Sequence, residues 1–205
     1  MQKQNEYHIS IAQLKKYEHT SLLYELLYPF GFTPGQVGEA AFLLNAKTGA
    51  QLEAAAEKWR LIKNRKLLII APLLPMPFDY IEIESVEEVI KFPGGILTFL
   101  PAKASEITFG KAGQVLIDAQ HLQFPLLLRK WKEGDYFYPL GMRKKKKVSR
   151  QLIDLKLSVS EKEKVWVLTT GDKICWVVGI RLDDRFKITN QTNHVIQIKL
   201  DSDLL

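Results

Sequence analysis

The chain has 205 residues, 46% of them hydrophobic and 10% aromatic, so it can bury a real core in one large or two small domains. Its single cysteine, Cys175, excludes a disulfide framework and indicates a reducing compartment. The net charge is +6, but nine basic and only two acidic residues lie between Arg129 and Arg150, so the positive surplus is local.

No segment of the sequence predicts a membrane anchor. The N-terminal residues lack an apolar signal-like stretch, and the longest apolar run, 67–77, is too short to span a bilayer and contains three prolines. The four histidines have no Cys or His neighbours at ligand spacing. We therefore expect a cytoplasmic protein with no membrane partner and no bound metal.

The first third of the chain shows helical patterns. Ser10 is placed to cap a short helix at 11–17. Thr20-Ser21 are placed to cap a second helix that ends at Pro29 and Gly31, and Thr33-Pro34 mark the start of a third. Propensity makes 51–58 helical, and strands are predicted at 59–62 and 66–70. Pro72, Pro75 and Pro77 form a stiff connector. The sequence therefore predicts a small helical domain over residues 1–75.

The remainder, residues 76–205, alternates with the period of strands. Strands are predicted at 80–83, 96–100, 114–118 and 126–131, followed by hairpins that join 165–170 to 173–180 and 186–189 to 194–200. Ser149 is placed to cap one short helix, and Ser160 with Glu163 fits a capping box for another. The predicted fold class is α+β: the helical domain, then a β-rich, sandwich-like domain with short helices.

The basic segment 129–150 contains two turn signals, Gly134-Asp135 and Pro139-Leu140-Gly141, which predict a loop of fixed shape. Such a loop suits phosphate capture, although a lysine run can also be a merely solvated loop. The neighbouring aromatics Trp131, Tyr136, Phe137 and Tyr138 are expected to pack in the core or the turns rather than stack on bases. The candidate RNA-binding residues are Arg129, Lys130, Lys132, Arg143, Lys144, Lys145, Lys146, Lys147, Arg150 and Lys156.

No reactive constellation is recognisable in the sequence, so no catalytic residue is predicted. There is no GxxxxGK[ST] or SGGxDS phosphate loop, no GxSxG elbow and no HExxH pair. Gly94-Gly95 is interpreted as a turn and Cys175 as a buried small hydrophobe. Asp183-Asp184, beside two arginines, is interpreted as a salt-linked turn, and Asp154 as the partner of a nearby lysine.

Ordered motifs in the second half resemble the C-terminal domain of tRNA(Ile)-lysidine synthetases. The runs WKEGDYFYPLGM, KKKKVSRQLIDLK and ICWVVGIRLDDRF match the family's GDR-x-x-P-L-G-M, KK, I-D-x-K and W-V-x-G-x-R-x-D-x-R-F patterns. The run LLYELLYPFGFTPGQVGEAAFLLNAKTGAQ resembles the family's central substrate-recognition region, and the resemblance suggests that 51–58 is partly extended. Three departures stand out: Tyr136 replaces an arginine, Arg150 replaces an acidic residue, and 158–167 lacks the family's prolines.

The resemblance implies an ATP-dependent ligase that adenylates the first anticodon cytidine of a minor isoleucine tRNA and lets lysine displace AMP. The chemistry belongs to an N-terminal ATP-pyrophosphatase domain that this sequence lacks, so ATP and Mg are expected there and no cofactor here. The expected partners are isoleucine tRNA, bound through its body and acceptor arm, and that catalytic domain of the same polypeptide. The alternative is a self-association or domain-docking module, such as a homodimer.

Overall fold

The computed structural model describes residues 2–3, 5–17, 19–73, 80–86, 88–102 and 113–201. Contacts divide the chain into a first unit, Met1–Pro77 with Ser158–Ser160, and a second unit, Phe78–Leu157 with Glu161–Leu205. The boundary predicted at residue 75 falls within 74–79, outside the described residues. No helix in the described part of the chain is long and apolar enough to cross a membrane.

The first unit combines helices with a five-stranded antiparallel sheet of order β1-β2-β5-β4-β3. The strands are β1 (Gln2–Lys3), β2 (Glu6–Ser10), β3 (Gln51–Glu53), β4 (Trp59–Asn64) and β5 (Leu67–Pro72). The helices are α1 (Ile11–Leu14), α2 (His19–Leu27) and α3 (Pro34–Leu43), with a 3₁₀ turn at Tyr28–Phe30. The expected helical domain is thus itself a mixed unit, because β1, β2 and β3 add strands that the sequence pattern did not predict.

Apolar side chains at helical and strand spacing build the core of this unit. Leu23 and Leu27 of α2 and Ala40 of α3 are fully buried, and they share a cluster with Leu61 and Leu68 of the central strands. Since alternate strand residues point to one face, Leu61 and Leu68 can both meet the helices. The helices therefore cover one face of the sheet.

The alanines of residues 51–58 favoured a helix, but the structure shows that these residues are not helical. Gln51–Glu53 pair with β4, and Gln36 of α3 fixes the end of that strand: its Nε2 donates to the Glu53 carbonyl at 2.7 Å and its Oε1 accepts from Ala55 N at 3.2 Å. Helix propensities differ by only a few tenths of a kcal/mol per residue for such side chains. Strand pairing and the Gln36 contacts therefore outweigh them.

The second unit contains two antiparallel sheets and a short ribbon. The five-stranded sheet has the order β15-β14-β13-β10-β6 and the four-stranded sheet β7-β8-β16-β9; β11 pairs with β12. The strands are β6 (Tyr80–Ile83), β7 (Val89–Phe92), β8 (Gly95–Ala102), β9 (Gln114–Asp118), β10 (Leu126–Lys130), β11 (Tyr136–Phe137), β12 (Lys146–Lys147), β13 (Trp166–Thr170), β14 (Lys173–Val177), β15 (Arg181–Leu182) and β16 (Val195–Asp201). The helix of this unit is α4 (Val148–Asp154); α5 (Val159–Glu163) begins in the segment assigned to the first unit and ends in the second.

Buried side chains from both sheets meet in one cluster, which confirms the predicted sandwich. Leu128 and Leu168 come from the five-stranded sheet, and Phe99, Ile117 and Ile198 from the four-stranded sheet. The other face of the five-stranded sheet is covered as well, by a second cluster. Its buried members include Phe137 of the ribbon, Val148 and Leu152 of α4, and Val167 and Val177 of the sheet. The segment from β11 to α4 is therefore anchored on this face.

Two details of the chain beyond residue 79 differ from the sequence predictions. The hairpin across 190–193 is wrong: Phe186 is buried in the 3₁₀ turn Asp184–Phe186, and β16 pairs with β8 and β9 instead. Both helix caps are also wrong, since α4 begins after Lys147 and Ser160 lies inside α5, where its hydroxyl contacts that of Ser158 at 3.1 Å. Burial of Phe186 in the core and the pairing of β16 with β8 and β9 account for the first difference, because both bury apolar surface that the local hairpin pattern does not take into account.

Candidate nucleic-acid interface

The residues between β10 and α4, 131–147, form a projection that we name the basic loop. Its two ends meet in the β11–β12 ribbon, where Tyr136 pairs with Lys147 and Phe137 with Lys146. Phe137 is fully buried, while Val148 N donates to the Asp135 carbonyl at 2.9 Å. The loop therefore has a packed base, as the turn signals predicted.

Asp135 holds the first turn of this base. One of its carboxylate oxygens accepts from Arg129 Nη1 at 2.8 Å and from Lys132 N at 2.9 Å, and the other accepts from Arg129 Nη2 at 3.0 Å. A bidentate guanidinium–carboxylate pair is the strongest geometry of this kind. Arg129, expected among the RNA-binding residues, is thus engaged inside the protein.

Asp183 and Asp184 hold the second turn. Asp183 is fully buried and accepts from Tyr138 N at 2.8 Å, and Asp184 accepts from Gly141 N at 2.9 Å. Arg181 Nη2 donates to the Leu140 carbonyl at 2.8 Å. The hydrogen bond from Gly141, followed by that from Lys187, holds the pKa of Asp184 below its usual range. The prediction of a salt-linked turn is confirmed, and its contacts extend to the basic loop.

Gly141 has a structural reason to be glycine. Its φ is +85°, a left-handed conformation that side-chain-bearing residues adopt at a cost, and its N–H is aimed at Asp184. The PLG turn therefore places the following residues, Arg143 to Lys145, where the chain is exposed to solvent.

Three further candidates are engaged within the protein. Lys146 Nζ and Arg150 Nε lie 3.0 and 3.2 Å from the two carboxylate oxygens of Asp154. The hydrogen bond from Lys146 is the main effect that holds the pKa of Asp154 below its usual range, and Arg150 adds to it. Lys130 Nζ lies 4.8 Å from the Trp166 ring centroid and donates to the Glu163 carbonyl. Burial lowers the pKa of Lys130 to about 8, although Glu163 opposes that shift.

The other six candidates are exposed. Lys145 Nζ lies 5.0 Å from the ring centroid of Tyr136. The remaining five make no side-chain hydrogen bond or ion pair with any residue that the structure describes. These five are Lys132, Arg143, Lys144, Lys147 and Lys156. A cation without a partner in the protein can neutralise a phosphate directly. A cation that already contacts a group of the protein must first give up that contact.

The four aromatics divide into two groups. Phe137 is buried and Trp131 Nε1 donates to the Lys162 carbonyl at 2.6 Å, so both pack as predicted. Tyr136 is 46% exposed, and Tyr138 is half-buried beneath the Arg185 guanidinium, 4.6 Å from its ring centroid. The exposure of Tyr136 was missed by the sequence analysis; the strand alternation with buried Phe137 is the signal that indicates it.

The other sequence candidates occupy structural positions. Cys175 is fully buried, and burial raises the pKa of its thiol to about 12. Gly94 lies in the turn between β7 and β8, where an added Cβ would come within 2.4 Å of the Phe92 ring. Among the described residues, no group of three or more His, Cys, Asp or Glu side chains is arranged to hold a metal ion.

Comparison with known proteins connects both parts of the chain to one family. The family description "TilS substrate binding domain" matches residues 2–73, and "TilS substrate C-terminal domain" matches residues 126–199. A crystal structure titled as the TILS C-terminal domain superposes with a TM-score of 0.53 at 17% identity, covering 60% of this chain and 98% of that one. That likeness supports the fold of the second unit.

Full-length relatives carry the name tRNA(Ile)-lysidine synthase. The protein of Bacteroides thetaiotaomicron is 34% identical over 88% of this chain and 39% of its own length. That of Parabacteroides distasonis is 36% identical over 92% of this chain and 43% of its own length. The chain thus spans about two fifths of these relatives. Because the two domain matches together cover more than half of it, the chain belongs to the tRNA(Ile)-lysidine synthase family, of which it carries the substrate-binding and C-terminal domains.

Proposed function

We propose that this chain is the tRNA-binding part of a tRNA(Ile)-lysidine synthase, and that the basic loop with Lys156 binds phosphates of the isoleucine tRNA body. The observation that carries the proposal is the set of five exposed cations that have no side-chain partner among the described residues, on or beside a loop held by Asp135, Asp183 and Asp184. A fixed loop loses little conformational entropy on binding. Its cations would act through position and charge rather than by recognising bases.

In the whole enzyme, adenylation of the anticodon cytidine and its displacement by lysine would take place in a separate ATP-pyrophosphatase domain. ATP and Mg would bind there. This chain would supply no catalytic residue, and its task would be to hold the tRNA while that domain of the same polypeptide acts on the anticodon.

The test is a salt titration of binding by the 205-residue chain. The affinity for unmodified isoleucine tRNA is measured by filter binding at several salt concentrations for the parent chain and for the triple variant Arg143→Ala, Lys144→Ala, Lys147→Ala. Each lost phosphate contact lowers the log–log salt slope by about 0.7 to 0.9, so we expect the loss of three cations to lower the slope by about 2 to 3.

A charge-matched control separates position from net charge. Lys91, Lys173 and Lys199 are exposed in the same unit, outside the basic loop. Their triple alanine variant has the same net charge as the loop variant and should keep the parent slope. Equal losses in both variants, or none in the loop variant, would contradict the role of the loop.

A second candidate, self-association, has one observation in its favour. Four apolar side chains of the second unit, Leu140, Met142, Ile153 and Leu155, are between 37% and 50% exposed. Exposed apolar surface is typical of contact sites when it forms a patch. Sedimentation over a range of protein concentrations decides the matter: a monomer throughout would exclude self-association.

A further inference from the structure

One face of the β11–β12 ribbon combines aromatic and cationic side chains. Residues directly opposite in an antiparallel pair share a face, and alternate residues along a strand return to it. Tyr136 pairs with Lys147, so these two side chains share a face, and Lys145, just before β12, reaches the same face through its contact with the Tyr136 ring. All three are exposed, whereas the intervening Phe137 is buried and Lys146 is paired with Asp154. We name the face formed by Tyr136, Lys145 and Lys147 the ribbon face.

The contacts on the ribbon face fit this arrangement. Lys145 Nζ lies 5.0 Å from the Tyr136 ring centroid, a cation–π distance. The Tyr138 ring meets the Tyr136 ring at a centroid distance of 6.4 Å and an angle of 76°. Tyr136 is therefore flanked by a second aromatic and by a cation on a flexible stem.

The support under Tyr136 is rigid. Arg185, which lies over the Tyr138 ring, donates from Nε and Nη2 to the buried carboxylate of Asp183, and Tyr138 N donates to the same carboxylate. Tyr138 is thus held through both its ring and its backbone. A ring fixed in this way can present Tyr136 to a ligand without being ordered by it.

We propose that the ribbon face binds an unpaired nucleotide of RNA, with its base stacked on Tyr136 and its flanking phosphates on Lys145 and Lys147. This inference deepens the proposed function and rests on it. Aromatic rings beside basic side chains are the means by which proteins hold single-stranded nucleic acid, because every base has a π-face and every nucleotide a phosphate. The exposed stem of Lys145 lets its ammonium leave the ring for a phosphate when a base arrives.

The experiment uses the 205-residue chain and two RNA probes, a single-stranded oligoadenylate of twelve nucleotides and a blunt duplex of twelve base pairs. Loss of base–aromatic stacking weakens binding by roughly 5-fold or more. We therefore expect Tyr136→Ala to weaken binding to the single strand by at least that factor and to leave the duplex affinity unchanged. Tyr136→Phe should retain the parent affinity for both probes.

Two controls make the result specific. Tyr28→Ala removes a tyrosine that is 62% exposed in the first unit and should change neither affinity. Lys145→Ala with Lys147→Ala should weaken both probes and reduce the salt slope, whereas Tyr136→Ala should leave the slope unchanged. A thermal melt of each variant confirms that it is folded.

The outcomes separate this inference from the proposed function. If Tyr136→Ala binds the single strand within twofold of the parent while the lysine variant loses affinity, the stacking platform is overturned and the phosphate-binding loop stands. If the lysine variant also binds both probes normally, the role of the ribbon lysines in RNA binding fails as well.

Discussion

Asp183 and Arg185 form a bidentate ion pair beneath the basic loop: Arg185 Nε lies 2.9 Å from Oδ1 and Nη2 lies 2.8 Å from Oδ2. The same carboxylate accepts from the backbone N–H groups of Tyr138 and Arg185. Its hydrogen bonds raise the pKa of the Arg185 guanidinium. This pair, whose carboxylate is buried and whose guanidinium is 32% exposed, connects β15 to the loop that carries the exposed cations.

Removal of Asp183 should destabilise the second unit. Asp183→Ala leaves Arg185 without its partner and Tyr138 N without an acceptor. Because the guanidinium left behind is 32% exposed, the cost should be near the lower end of that for a buried pair, about 3 kcal/mol. The free energy of unfolding is measured by urea titration with tryptophan fluorescence. Asp184→Ala, at a partly exposed carboxylate, should cost about 1 kcal/mol. Similar losses of unfolding free energy in the two variants would show that burial of Asp183 does not set the size of its contribution to stability.

Arg129 and Lys144 should affect different measurements. Arg129→Ala removes two hydrogen bonds to Asp135, so the free energy of unfolding should fall by about 2 kcal/mol while the salt slope of tRNA binding stays the same. Lys144→Ala should leave stability within about 0.5 kcal/mol and lower the slope by about 0.7 to 0.9. A reduced slope for folded Arg129→Ala would mean that its guanidinium contacts phosphate after all.

The pH dependence of stability should reveal Lys130. Its pKa is lowered from 10.5 to about 8 in the folded chain, so the unfolded chain binds more protons between these pH values. The cost of the buried ammonium is fully present below pH 8 and is relieved as pH rises toward 10.5. Relative to Lys130→Met, the parent chain should therefore gain stability across this range in urea titrations.

The exposed residue Lys132 offers a matched control for that comparison. The difference in stability between the parent chain and Lys132→Met should stay constant from pH 7 to pH 10. A constant difference for Lys130→Met as well would contradict a lowered pKa for Lys130.

Cys175 should be inert toward thiol reagents while the chain is folded. Its Sγ is fully buried and donates to the Leu168 carbonyl at 3.1 Å, and burial raises the pKa of the thiol to about 12. Since the thiolate is the reactive form, Ellman's reagent at pH 8 should titrate no thiol in the native chain and one in urea. Lys173→Cys, at an exposed neighbouring position, should add one thiol that reacts at once. Rapid reaction of the native parent would contradict the burial.

Patterns with short range predicted the fold best. The alternation of 80–83 predicted β6 with its observed bounds, and Ser10 accepts from Gln13 N at the start of α1 as expected. The failures involve long-range contacts: 51–53 pair with β4, and Phe186 is buried in the sandwich core. Local propensity contributes less free energy than such burial and pairing, so it determines the secondary structure only where they are absent.

Charge counting and motif order were enough to show that the positive surplus lies in one segment, that this segment contains two turns, and that its motifs resemble those of one family. Which of its cations are available depends on contacts that form only on folding. Arg129 pairs with Asp135, Lys146 and Arg150 with Asp154, and Lys130 lies against Trp166. Coulomb attraction acts through space, and folding brings these partners within a few ångströms of one another. A charge is therefore free for RNA only where the fold leaves it without a partner.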